Sequence, residues 1–185
     1  MAKSIVSSPS WLGEKNIIGL VFEIRIVLKI GMKMLILKKV EENDISKLKS
    51  VKERAFKAEF DRLGFISEEM ISTEWHQEMM GKSIYYAIIN ENTIIGGVNI
   101  FKFDEGYYLC SLFIDSLLQN KGLGSQVMIQ LETLHKDRNK WQLETPSSSV
   151  QNHHFYEKLG YKHINDMVPD GAPEGFSLRV YEKLL

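Results

Sequence analysis

The run Gln119-Asn120-Lys121-Gly122-Leu123-Gly124-Ser125 stands between an apolar stretch, Leu109 to Ile114, and a segment of helical periodicity. Strand, glycine turn and helix in that order present bare backbone N–H groups to an anion. The first amides of a helix have no intrahelical partner, and the macrodipole adds partial positive charge at the same end. A phosphate suits that place. Gly122 and Gly124 lack Cβ, so the backbone can turn tightly and approach a ligand, while Lys121 adds a mobile cation. Val127, Met128, Leu131 and Leu134 then fall on one stripe, with Lys136 and Arg138 near the C-terminal end. Alone, a G-x-G between strand and helix is more often only a tight turn.

A second motif lies about thirty residues on. Asn152-His153-His154-Phe155-Tyr156-Glu157-Lys158-Leu159-Gly160-Tyr161 follows a short strand, Trp141 to Thr145. Q-x-x-G-x-G opening one helix and F-Y-E-K-L-G-Y closing another resemble the GNAT N-acetyltransferase superfamily, over roughly Met34 to the C-terminus. The resemblance implies an acetyl-CoA site and no metal. The amides of Gln119, Asn120, Lys121, Gly122, Leu123, Gly124 and Ser125 would hold the pyrophosphate. The edge of the preceding strand, Leu112, Phe113 and Ile114, would pair with the pantetheine arm; Asn152, Phe155 and Lys158 would complete the cofactor site, and Tyr156 would lie near the thiol. Two positions depart from the family pattern: Ser149 stands where an asparagine is frequent, and Asn152 where a small residue is usual. Gln119 replaces a frequent arginine.

Acetyl transfer from a thioester to an amine needs a deprotonated nucleophile, a stabilised oxyanion and a proton for the leaving thiolate. The resemblance supplies a strand amide for the oxyanion and the neutral phenol of Tyr156 as donor. The base stays open among Glu144, at the end of the Trp141 strand, Glu59, Glu68, Glu69, Glu74 and Glu78, or a bound water. His153 and His154 lack metal-ligand spacing and read as surface or hydrogen-bonding groups; His76, His135 and His163 are isolated. Trp75 with Met70, Met79 and Met80 reads as core or acceptor-pocket wall. An N-acetyltransferase acting on a small-molecule or peptide amine by direct attack is the expected function. A catalytically idle module that binds or senses acyl-CoA is the alternative.

The elements that must position these groups follow from pattern. Strand Leu35 to Val40 leads to a helix from about Asp44, its expected N-cap, to Phe60, with Ile45, Leu48, Val51 and Ala55 on one face. A second helix is expected from Ser67 to Met80. Ile84 to Ile89, Thr93 to Phe103 and Tyr107 to Ile114, separated by short polar breaks, predict an antiparallel meander. Gly96-Gly97 inside it marks a bulge or a close backbone approach. Helix Val150 to Leu159, stopped at Gly160, and strands Tyr161 to Ile164 and Phe176 to Tyr181 follow. The sum is a single α/β domain with a mixed, mostly antiparallel sheet flanked by helices. The resemblance implies central strands that splay to form the cofactor slot.

A chain of 185 residues suits one domain, and 44% hydrophobic with 25% charged residues is ordinary for a soluble globular protein. A net charge of −1 argues against a nucleic-acid partner. The lone Cys110 excludes an intramolecular disulfide and reads as a small buried hydrophobe, with cytoplasm the default compartment. Residues 17 to 37 are apolar but interrupted by Glu23, Arg25, Lys29 and Lys33, which speaks against a membrane span. Phe22 to Ile30 alternates as a strand does. Residues 1 to 33 are therefore expected to be an extension or a start-site artefact, able to add an edge strand or pair two subunits as a homodimer, and the domain to occupy residues 34 to 185.

Overall fold

The computed structural model describes residues 35 to 63 and 71 to 185, without the side chains at 59, 60, 62 and 63. The expected N-terminal extension, Glu68, Glu69, Met70 and the Glu59 side chain lie outside what is described. Seven strands form one sheet: β1 (Leu35–Lys39), β2 (Ile84–Asn90), β3 (Thr93–Lys102), β4 (Gly106–Ile114), β5 (Lys140–Pro146), β6 (Lys162–Met167) and β7 (Leu178–Leu184). Their spatial order is β1-β2-β3-β4-β5-β7-β6. The β2–β3–β4 meander forms as its short polar breaks predict, and β4 takes the centre. β4 and β5 run parallel, whereas the other neighbours are antiparallel.

Alternation along the strands builds two cores. Tyr86 and Ile88 of β2 face one side, joined by Val127, Met128 and Leu131 of α3 (Leu123–Leu134) and by partly buried Phe155 and Tyr156 of α4 (Val150–Lys158). Tyr85 and Ala87 face the other, under Leu48 and Val51 of α1 (Ile45–Leu63) and Met79 of α2 (Thr73–Lys82). The first helix starts otherwise than expected: Asp44 closes a short 3₁₀ turn and its carboxylate accepts from the Glu41 backbone N–H at 3.0 Å. Glu41, one turn earlier, holds the capping position. The second helix starts at Thr73, later than the expected Ser67, and is capped by Ser72, whose hydroxyl accepts from the Trp75 N–H at 3.0 Å. No helix among the described residues is long and apolar enough to cross a membrane.

Of three register shifts in the sheet, two lie in the β2–β3–β4 meander and one at the β6–β7 edge. Ile88 pairs with Gly96 and Ile89 with Ile94, so Ile95 is an extra residue next to the glycine pair. Asn99 pairs with Ser111 and Ile100 with Leu109, which makes Cys110 extra on β4. The glycine pair also serves close approach, since a Cβ on Gly96 would collide with the Phe113 carbonyl oxygen. That obstacle is backbone and cannot rotate away. Gly96→Ala should therefore lower the unfolding free energy by about 2–3 kcal/mol, as overpacking does; a urea midpoint equal to the parent's would show that β3 and β4 can separate here at little cost.

Candidate active site

β4 and β5 pair from Gly106 opposite Lys140 to Leu109 opposite Leu143, and then part. Above that point β4 stays paired with β3 as far as Ile114, and β5 stays paired with β7 as far as Pro146. Among the described residues the facing edges have no strand partner, so alternate N–H and C=O groups of β4 beyond Leu109 point into the gap.

The chain leaving β4 builds the turn. Asp115 caps a short 3₁₀ turn by accepting from the Leu117 N–H at 3.2 Å. Asn120 and Gly122 both take left-handed backbone, at φ 60° and 76°, and Gly122 begins α3 with no side-chain cap. The first amides of α3, at Leu123, Gly124 and Ser125, are thus left for water or a ligand. The turn is held from α1: Arg54 donates to one Asp115 oxygen through Nε at 3.0 Å and Nη2 at 2.6 Å. Burial works to raise the Asp115 pKa, but the Arg54 and Leu117 hydrogen bonds outweigh it and hold the carboxyl below its ordinary value. Gln119 Nε2 donates to the Ile114 carbonyl at 2.9 Å and reaches that of Ala55 at 3.4 Å.

A cleft of about 700 Å³ opens over this turn. Its walls include Leu112, Phe113 and Ile114 of β4, then Gln119, Asn120, Gly122, Leu123, Gly124 and Ser125, and across from them Asn152, Phe155, Tyr156 and Lys158 of α4. Of the residues expected at the cofactor, Lys121 stands apart, its ammonium donating to the Leu117 carbonyl at 3.1 Å. Asn152 lines the cleft while donating to Thr145 at 3.0 Å, which ties α4 to the end of β5. Tyr156 is half-buried, its ring edge-on to Phe155 at 4.9 Å and near Tyr161 and Tyr181. Glu144 is not in the cleft wall. It lies half-buried beside Tyr108, whose phenol is raised by burial and then by the Glu144 charge. Glu74 and Glu78 are exposed on α2, with Glu78 accepting from Lys82.

The histidines are better placed than sequence isolation implied. His153 is buried, with Nε2 on the Pro146 carbonyl at 3.1 Å and Nδ1 facing Arg179 at 3.3 Å, while His154 is exposed. His76 is fully buried, and its Nδ1 shares a hydrogen bond of 2.7 Å with the Tyr85 hydroxyl. Burial, and then the Lys52 charge, lower its pKa to about 4, so the ring is neutral. No group of acidic, thiol and imidazole side chains suited to a metal exists among the described residues.

Cys110 overturns the expected buried hydrophobe: it is exposed. A bulge turns two consecutive side chains toward one face, so Cys110 and Ser111 both accompany Phe113 on the α1 side. Protein atoms still crowd the thiol, and desolvation raises its pKa. Lys52 of α1, unremarked in the sequence, sits above. It is fully buried, its Nζ has no hydrogen-bond partner among the described residues, and the Trp75 ring centroid is 2.9 Å away. Burial lowers its pKa to about 7. The signal was available: Lys52 falls four residues after Leu48, inside the apolar stripe of α1.

Comparison with known proteins places this geometry in a family. Residues 48 to 161 match the model of the Acetyltransferase (GNAT) family, and the chain belongs to that family. An uncharacterized protein of Bacillus subtilis (strain 168), YxbD, is 29% identical over 80 residues, 42% of this chain and 49% of that protein, so the match spans about half of its length. Among solved structures, the PaiA N-acetyltransferase from Thermoplasma acidophilum in complex with coenzyme A superposes with a TM-score of 0.70 at 17% identity, over 82% of this chain and 99% of that one. The ribosomal-protein-S18-alanine N-acetyltransferase from Escherichia coli gives 0.67 at 15% identity, over 82% and 94%. A GNAT family acetyltransferase from Elizabethkingia anophelis with acetyl-CoA bound gives 0.54 at 19%, over 62% and 84%. At these identities the likeness is one of fold.

The buried lysine has a measurable signature. Its folded pKa of about 7 lies below the ordinary 10.5, so between those values the unfolded chain binds a proton that the folded chain does not. Stability contributed at this site rises with pH through that window. Lys52→Met should flatten the rise relative to the parent in urea unfolding. Identical pH slopes for the two proteins would mean that Lys52 keeps its proton when folded.

Proposed function

We propose that the protein transfers an acetyl group from acetyl-CoA to a primary amine by direct attack. The observation that carries this reading is the cleft formed where β4 and β5 part, with a glycine turn and uncapped helix start at one end and Tyr156 across from the β4 edge. The relatives solved with coenzyme A or acetyl-CoA support the choice of cosubstrate. The pyrophosphate would lie on the Leu123 to Ser125 amides and the pantetheine along the β4 edge.

Chemically, the amine lone pair attacks the thioester carbonyl carbon. A β4 N–H from the unpaired stretch Leu112 to Ile114 stabilises the oxyanion, because that edge has no strand to bond. Collapse breaks the C–S bond, and Tyr156 protonates the departing thiolate. The proton lost by the amine goes to Glu144 or to water; Glu144 lies on β5 beside Tyr108 of β4. No protein residue is acylated. Release of free CoA thiol from acetyl-CoA with a panel of amines tests the reading against an idle acyl-CoA-binding module, which would bind CoA and release none.

Gly122→Val and Gly124→Val probe the turn. Gly122 occupies left-handed backbone that a β-branched residue resists, and a Cβ on Gly124 would come within 3.2 Å of the Phe155 ring. The double variant should bind CoA at least roughly tenfold more weakly by calorimetry; parental affinity in a folded double variant would move the pyrophosphate elsewhere. Tyr156→Phe keeps the ring contacts, so its effect should fall on kcat rather than KM, toward the lower end of the roughly hundredfold or greater range of acid catalysis. A kcat within about twofold of the parent would reduce Tyr156 to packing.

A further inference from the structure

The layer between α1, α2 and strands β2 to β4 holds a cluster of polar atoms that the cleft does not explain. Tyr85 pairs with Asn99, and Asn99 with Ser111, so these three residues form one row across the sheet. Lys52 and His76 meet that layer from the helices: both rings of the His76–Tyr85 pair stack at 5.9 Å, and Lys52 Nζ lies 5.5 Å from the Phe113 ring. Lys52 Nζ, His76 Nε2, Asn99 Nδ2, Asn99 Oδ1 and Ser111 Oγ are all buried without a hydrogen-bond partner among the described residues. All but Asn99 Oδ1 can donate, and no carboxylate among the described residues contributes to the Lys52 environment. Buried donors around a lysine without a counter-ion are costly unless an anion completes them.

The cluster adjoins the gap between β4 and β5. Ser111 follows Cys110, which is exposed just above the last paired residues, and Asn99 lies close enough to the Cys110 thiol to favour its thiolate without a well-aligned hydrogen bond. The ring stacked on the ammonium belongs to Trp75, a half-buried residue of α2. An entering anion would exchange that cation–π contact for an ion pair.

We propose that the acceptor is an amine that also carries a carboxylate, and that Lys52, with Asn99 and Ser111, receives the carboxylate once Trp75 steps aside. This rests on the acetyl-transfer reading and names its substrate class. Distance between carboxylate and amine in the acceptor then decides which substrate places its nitrogen at the thioester.

The test compares kcat/KM, with acetyl-CoA and the full chain, for amino acids of increasing chain length against their carboxamides. The acids should be preferred by roughly tenfold or more at the best length. Lys52→Met should abolish the preference while calorimetric CoA affinity stays parental, and Ser111→Ala should weaken it. Equal use of acids and amides, as expected if the layer holds only structural water, overturns the inference but leaves acetyl transfer standing. So does a preference that survives Lys52→Met. Binding of CoA without acetylation of any amine removes the acetyl-transfer reading and this inference with it.

Discussion

Everything at the site depends on two central strands parting while each keeps a partner on its outer side. Strands separate inside a sheet only if the backbone groups they release find something else to bond. Here the lower halves of β4 and β5 are zipped from Gly106 opposite Lys140 to Leu109 opposite Leu143, with Tyr107, Leu109, Trp141 and Leu143 buried in one core. The upper halves are held apart by β3 and β7. The extra residue at Cys110 falls directly above the last paired position, where a bulge bends and twists a strand. Both helices that frame the cleft then start near this opening, α3 after the turn that follows β4 and α4 a few residues after β5.

α1 links the two ends of this opening. Arg54 holds Asp115 and so steadies the turn, and the Ala55 carbonyl accepts from Gln119. Two residues before Arg54, Lys52 points the other way, into the layer over the sheet. One helix therefore touches the glycine turn and the buried polar layer within about one turn of its length. A lysine in an apolar stripe contradicts the local pattern of a core helix, and such violations concentrate where function demands them.

The local sequence determined the elements whose geometry is chain-local. The glycine turn was legible because αL backbone at Gly122 and an uncapped helix start depend on neighbours a few residues away. The meander was legible because short polar breaks leave strands little choice but to pair with the next. The family resemblance rested on two such contiguous motifs, and the residues 48 to 161 that match the family model contain both. The starts of the helices were less legible: Asp44 and Glu41 compete for the same cap through reciprocal bonds that spacing alone does not rank.

Only the tertiary structure decided which side chains meet. Cys110 lies in an apolar run that reads as core, yet it is exposed, because a one-residue slip against β3 changes the face a side chain takes. His76 looks isolated along the chain, and Tyr85 reaches it only because α2 packs over β2. Lys52, Asn99 and Ser111 come from α1, β3 and β4, and nothing in their spacing relates them. Periodicity records which face of an element is apolar; it carries no register between elements, and register is what assembles a site from distant residues.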